Sequence, residues 1–178
     1  NMSAIQLLLA VSLSEDKKRR SSIIGQLRRV PSMMTTQLLD KDGVLDLAVD
    51  MLNSAEKAIF IGRGYSAPLV EEGALKMMEV TYLPCLAYPA GELKHGPIAL
   101  VDDKVPVVVI APKDSLFKKN ISNMQEILAR GGKVILITDK KGDKEVDDKN
   151  LKRIVVNNFQ EFVLPIIFSL PVQLLAYY

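Results

Sequence analysis

From Lys57 onward the apolar positions fall into short β-branched runs, KAIFIG, YLPCLAY, VPVVVIAP, KVILITD and RIVVNN, separated by stretches of helical length and polarity. That alternation predicts parallel strands joined by crossover helices. VPVVVIAP and KVILITD show no polar alternation, the pattern of strands buried on both faces. The expected fold class is therefore α/β, a three-layer αβα sandwich around a mainly parallel, flavodoxin-like sheet. Between these two runs Leu116, Ile121, Met124, Ile127 and Leu128 recur at helical spacing, and Gly131-Gly132 ends the helix before the next strand.

Ahead of the strands the period is helical. MSAIQLLLAVSLSED reads as a strongly apolar helix, residues 17–29 as a charged one, and Pro31-Ser32 is expected to interrupt the pattern before an amphipathic run over 35–52. This divides the chain into residues 1–30, the closing helices of a preceding module or a linker, and residues 31–178, the α/β domain. Residues 160–178 form an apolar helix expected to be interrupted at Pro165 and Pro171. A helix apolar on nearly all sides is either a core helix or an oligomer seam, and the sequence leaves both open. Neither terminal helix carries a recognisable cap, so the chain is expected to be cut from something longer and to pack against another domain or subunit.

Composition narrows the function. A chain of 178 residues, 48% hydrophobic, can bury one substantial core. The net charge of +2, from 23 basic and 21 acidic residues, supplies no field that would draw the chain onto nucleic acid. The basic run Lys17-Lys18-Arg19-Arg20 follows Glu15 and Asp16, has no interleaved aromatic, and reads as a solvated helix face. Cys85 is the single cysteine, so neither an internal disulfide nor a thiolate metal site is available, and its apolar neighbours make it a buried hydrophobe. No apolar run is long enough to cross a bilayer and no signal-peptide pattern opens the chain. A cytoplasmic location, with no membrane or nucleic-acid partner, is the expectation.

Three features can carry chemistry, and all three are expected near the carboxyl ends of strands, where open α/β sheets bind ligands. The turn Gly62-Arg63-Gly64-Tyr65-Ser66 leads from a strand into a helix and would aim backbone amides at whatever sits above it. It matches neither dinucleotide nor Walker spacing, and a purely structural tight turn explains Gly62 and Gly64 equally well. Glu72, Lys76 and Glu79 fall at i, i+4 and i+7, which puts two carboxylates and an amine on one helix face. That is either a surface salt-bridge ladder or, in a helix otherwise as apolar as Gly73, Ala74, Leu75, Met77 and Met78, a carboxylate tuned for proton transfer. His95, the chain's single histidine, lies in GELKHGP, where Gly96-Pro97 breaks any helix. It is either a surface loop residue or an acid–base group titrating near neutrality.

The strings GRGY, EGALK with Glu79 three residues after its lysine, AGELKHGP followed by ALVD, and PVQLLAY resemble the second sugar-isomerase (SIS) domain of glucosamine-6-phosphate synthases. The resemblance covers essentially the whole chain, residues 1–30 resembling the last helices of the preceding SIS domain. It implies an isomerase part that forms glucosamine-6-phosphate from fructose-6-phosphate, with ammonia released by a separate glutaminase domain. It also implies a homodimer and no cofactor or metal. By motif, Glu79 would move the proton between C1 and C2, Lys76 would stand beside that base, and Glu72 is an adjacent acidic position. His95 would open the sugar ring from across the dimer interface. The family's phosphate loop, of STSQSGET type, has no counterpart here, and Met78 stands where many relatives carry a basic residue. The chain alone is thus expected to be an incomplete enzyme. Two other readings are a non-catalytic sugar-phosphate-sensing or dimerisation SIS module, and a related deglycase or sugar-phosphate isomerase.

Overall fold

The computed structural model describes residues 2–39, 42–148, 151–157 and 161–178. Five strands, β1 (Ala58–Gly62), β2 (Cys85–Pro89), β3 (Pro106–Ile110), β4 (Lys133–Asp139) and β5 (Lys152–Val156), pair in parallel in the order β2-β1-β3-β4-β5. Each of the five short runs supplies one strand. The chain moves outward from β1 to β2, then crosses back to β3, so the order reverses between β1 and β3, the switch point of a flavodoxin-like sheet.

The side-chain alternation of the inner strands divides the core in two. Phe60, Val108, Ile110, Ile135 and Ile137 point to one face, where they meet α3 (Asp42–Met51), α4 (Ser66–Thr81) and α7 (Leu164–Tyr177). Ile59, Ile61, Val107, Val109, Val134 and Leu136 point to the other, under α5 (Phe117–Ala129) and the fully buried Leu93. Both faces being covered, β1 and β3 are buried along their whole length, which is why their sequences lack polar alternation. The result is the expected three-layer αβα sandwich.

Two helical expectations are corrected. Helix α2 (Lys17–Leu39), which follows α1 (Met2–Ser12), runs straight through Pro31. Its Ile23 and Val30 are buried, and Val30 packs with Val163, Ile166 and Ile167 beside Leu27, Met33 and Met34, so tertiary packing outweighs the lost backbone donor. Likewise Pro165 sits in the first turn of α7, where a proline needs no donor, and Pro171 is accommodated inside an unbroken helix. Both prolines lie in a helix most of whose residues are buried against α4, α3 and α2, Gln173 being exposed, which makes α7 a core helix rather than a bare seam. The basic run at the start of α2 is solvated, Arg19 lying over the Phe162 ring at 5.2 Å. Among the described residues no helix is long and apolar enough to cross a membrane.

Candidate functional site

Helix α4 carries the charged stripe because its apolar positions have a face to occupy. Leu69, Val70, Gly73, Ala74 and Met77 are buried against β1 and α7, which leaves Glu72, Lys76 and Glu79 together on the outer side. Lys76 Nζ lies 2.6 Å from Glu79 Oε2 and 3.8 Å from Glu72 Oε1. The Glu79 hydrogen bond, with the added charges of Glu72 and Glu79, holds the Lys76 ammonium above the ordinary lysine range against partial loss of water. Lys76 is therefore a fixed cation at neutral pH and not a free amine. The side chains of Glu72, Lys76 and Glu79 are 42%, 32% and 50% exposed, so solvent reaches all three.

The stripe is not at the carboxyl edge of the sheet, contrary to expectation. α4 starts at that edge and runs back antiparallel to β1, and Thr81 to Pro84 turn into the amino end of β2, where the Ala58 N–H donates to the Pro84 carbonyl. Glu79, near the end of α4, lies about 20 Å along the axis from its first residue at 1.5 Å per residue. The helix ends at Tyr82, whose φ of 61° is the left-handed cap of the last turn.

His95 sits at the opposite edge. Past the carboxyl end of β2 the chain makes two 3₁₀ turns, Leu93–His95 and Pro97–Leu100, separated by Gly96 at φ 139°. Leu93 is buried and His95 is exposed. The structure brings Glu72, Lys76 and Glu79 together and leaves His95 away from them, with the length of β2 between. Neither a cleft of about 410 Å³ at the amino edge, lined by Met77, Thr81, Tyr82 and Tyr178 among others, nor a hollow of about 440 Å³ beside Lys94 and Glu126 takes in the four candidates.

The turn after β1 is built for packing. A Cβ on Gly62 would lie 2.9 Å from Ser66 Cβ, and one on Gly64, already at φ +57°, 2.9 Å from Leu116 Cδ1. Both glycines thus have a steric reason to be there. The Ser66 and Ala67 N–H groups donate to the Arg63 and Gly64 carbonyls, and Pro68 has no N–H, so the first helix amides are not aimed upward as the sequence suggested. What the sequence did not single out is Arg63. It sits at the β1/β3 switch point and donates through Nη2 (2.9 Å) and Nε (3.3 Å) to Asn123 Oδ1 on α5. Glu126, one turn further along α5, pairs with Lys94 at 2.8 Å. Arg63 had a signal in its place between two turn glycines; Asn123 and Glu126 had none.

A doubly wound α/β domain with an ion-paired acidic stripe on the helix after β1 and a histidine loop after β2 defines the class of fold that the comparisons then place. The chain belongs to the SIS domain family, whose profile matches residues 51–178. It is 44% identical over 163 residues to the glutamine–fructose-6-phosphate aminotransferase (isomerizing) of Brucella abortus, covering 92% of this chain and 27% of that protein. With the corresponding protein of Bartonella quintana the identity is 46% over 167 residues, covering 94% of this chain and again 27% of the relative. Among solved structures, the C-terminal domain of glucosamine-fructose-6-phosphate aminotransferase from Francisella tularensis superposes with a TM-score of 0.87 at 36% identity, over 92% of this chain and 46% of that one. The chain thus spans about a quarter of the length of the relatives it matches, within their isomerase part.

Proposed function

We propose that this chain is the second SIS domain of a glucosamine-6-phosphate synthase, contributing to the aldose–ketose isomerisation that forms glucosamine-6-phosphate from fructose-6-phosphate. The reading is supported by one observation: the Glu72–Lys76–Glu79 stripe and His95 occur in a chain 44% identical to the Brucella abortus aminotransferase over nearly its whole length. In this reading ammonia condenses with the C2 carbonyl of the open-chain sugar, releasing water, and the Glu79 carboxylate then takes the C1 proton of the resulting imine and returns it to C2. Lys76, a fixed cation 2.6 Å from Glu79, steadies the negative charge that develops on the C1 oxygen as the proton moves. Glu72 supports Lys76, and the His95 imidazole exchanges protons with the ring oxygen as the ring opens. Gly62 and Gly64 act through the tight turn rather than by touching sugar.

An exposed stripe cannot do this in bulk water, where its charges are screened and its substrate is unheld. Its working partners are a preceding SIS domain, a second copy of the chain that brings His95 to the stripe, and a glutaminase domain that supplies ammonia in the cytoplasm; the boundary expected at residue 30 falls inside α2, which is continuous from Lys17 to Leu39. No metal or cofactor enters. A sensing or dimerisation module is the weaker reading, since it leaves the stripe and His95 without employment.

The test is exchange of the C2 proton of glucosamine-6-phosphate in heavy water, followed by NMR, for this chain alone, for the chain joined to its first SIS domain, and for Glu79→Gln in each. Loss of a positioned base should slow exchange by about 10²- to 10⁴-fold. Exchange in the joined protein that survives Glu79→Gln would remove Glu79 from the mechanism. No exchange in any form would return the chain to the sensing class.

A further inference from the structure

We propose that Glu126 is the positioning residue for His95, acting through Lys94; this rests on the reading of His95 as the ring-opening imidazole. A 3₁₀ turn has three residues per revolution, so the side chains of Leu93, Lys94 and His95 leave the backbone about 120° apart. Leu93 is 0% exposed and enters the core beneath α5. Lys94 Nζ reaches across to Glu126 Oε1 at 2.8 Å. With two of the three directions tied, the third is set, and it carries His95 outward from the domain.

The ties on either side explain why Lys94 is the deciding one. Upstream, Gly91 lies against Arg63, so closely that a Cβ there would meet Nη1 at 3.0 Å, and Arg63 is held by Asn123. Asn123 and Glu126 are i and i+3 on α5, so one helix face anchors both the start of the loop and the turn that bears His95. Downstream, the Ala99 N–H donates to the Gly96 carbonyl at 2.9 Å and Ile98 and Leu100 pack on the core, so the next turn is held by its own contacts and not by α5 ion pairs. Within the turn itself, beyond the buried Leu93, the Lys94–Glu126 pair is the side-chain tie; removing it leaves His95 held by its N–H bond to the Glu92 carbonyl (3.0 Å). The other carboxylate oxygen, Oε2, is buried with no hydrogen-bond partner among the described residues, and among them Lys94 is the cation paired with this acid.

Ring opening breaks the bond from C2 to the ring oxygen. That oxygen takes up one proton while the anomeric hydroxyl gives one up and becomes the carbonyl. Only this step needs His95 aimed correctly, so 5-deoxyfructose-6-phosphate, which lacks the hydroxyl that closes the ring, separates aim from overall integrity. In the full-length synthase, Glu126→Gln and Lys94→Met should each lower kcat on fructose-6-phosphate by about tenfold with KM little changed, as expected for a misaimed group. The double variant should be no worse than either single. C1 proton exchange on the 5-deoxy compound should stay at the parent rate. His95→Asn should show the same split, more strongly. If His95→Asn shows it and neither Glu126→Gln nor Lys94→Met does, the clamp is overturned and His95 keeps its role. If both substrates slow together in Lys94→Met, whose side chain is 61% exposed and removes nothing from the core, the pair is merely structural and the proposal fails. If His95→Asn spares the cyclic substrate, the reading of His95 fails and the proposal with it.

Discussion

Gly73 is the point where helix propensity and packing pull in opposite directions. It lies in α4 immediately after Glu72, on the buried face, and a Cβ there would come 2.4 Å from Val172 Cγ1 of α7 and 3.1 Å from two ring carbons of Phe60. Carbon contacts are comfortable at about 3.5–4.0 Å, so Gly73→Ala forces a displacement of about 1 Å. The neighbours cannot supply it cheaply. Val172 is 1% exposed and stiff at its β-branch, and Phe60 is 0% exposed in the first strand. Alanine in place of glycine within a helix gains about 1 kcal/mol, whereas overpacking a core costs about 1–3 kcal/mol. The net expectation is a loss of up to about 2 kcal/mol, or a fall in the urea midpoint of up to about 1 M for an m-value near 2 kcal/mol/M. Urea unfolding followed by circular dichroism measures it. Adding Val172→Ala makes room for the new methyl, and the double variant should exceed the sum of the singles by about 1–2 kcal/mol. A Gly73→Ala protein with a higher midpoint and unchanged m-value would refute the reasoning, showing that α4 and α7 have slack. The same displacement moves Glu72 and Lys76 outward, so activity should fall with stability.

Burial pushes the Cys85 thiol up to about 11 from 9.0, with the backbone at Ala58 opposing slightly. Two units make thiolate about 100-fold scarcer at pH 8, so iodoacetamide should label the folded chain at least that much more slowly than the urea-unfolded one; equal rates would deny the burial. Because the folded value is the raised one, the stability this neutral thiol supplies is complete below about pH 9 and lost as pH rises toward 11, a slope that Cys85→Ala should remove. The Asp139 carboxylate, at the end of β4, accepts from the backbone N–H of Lys113 (2.6 Å), Lys141 (2.8 Å) and Gly142 (3.1 Å). Asp139→Ala should cost about 2–4 kcal/mol in urea unfolding, and Asp139→Asn less; parent-like stability in Asp139→Ala would show that the turn holds itself.

The inner strands β1, β3 and β4 were legible because burial on both faces leaves a continuous apolar run in the sequence, whereas the edge strands β2, without a β-branched residue, and β5 are only partly buried and were found by their place in the alternation with helices. The helices were less so where a local rule met a tertiary one. Pro31 breaks an isolated helix, yet Val30 beside it is buried against Val163, Ile166 and Ile167, contacts more than 130 positions away that no window over the sequence can weigh. α7 was ambiguous for a different reason: an apolar surface on all sides is equally suited to a core and to a seam, and only the three helices packed on it decide.

For the candidate site, what was legible was whatever lies within one helix. Glu72, Lys76 and Glu79 share a face because i, i+4 and i+7 always do, and their ion pairs follow. The error lay in treating α4 as a point at the carboxyl edge, when a crossover helix is about as long as the domain is deep and carries its last turn to the far side. The ties of Arg63 to Asn123 and of Lys94 to Glu126 were invisible, since they join segments that only the crossover to β3 brings together. The correction changes the function argued for. A base at the amino edge and an imidazole at the carboxyl edge, with the length of β2 between them, are too far apart to serve C1, C2 and the ring oxygen of one sugar within a single copy of this domain. If both belong to one reaction, as proposed, the substrate must be held on a surface that this domain does not provide. His95 must then come from a different copy than Glu79. Under that proposal two copies of the chain meet at the substrate, one carrying Glu79 and the other His95, because α4 carries its last turn away from the histidine loop.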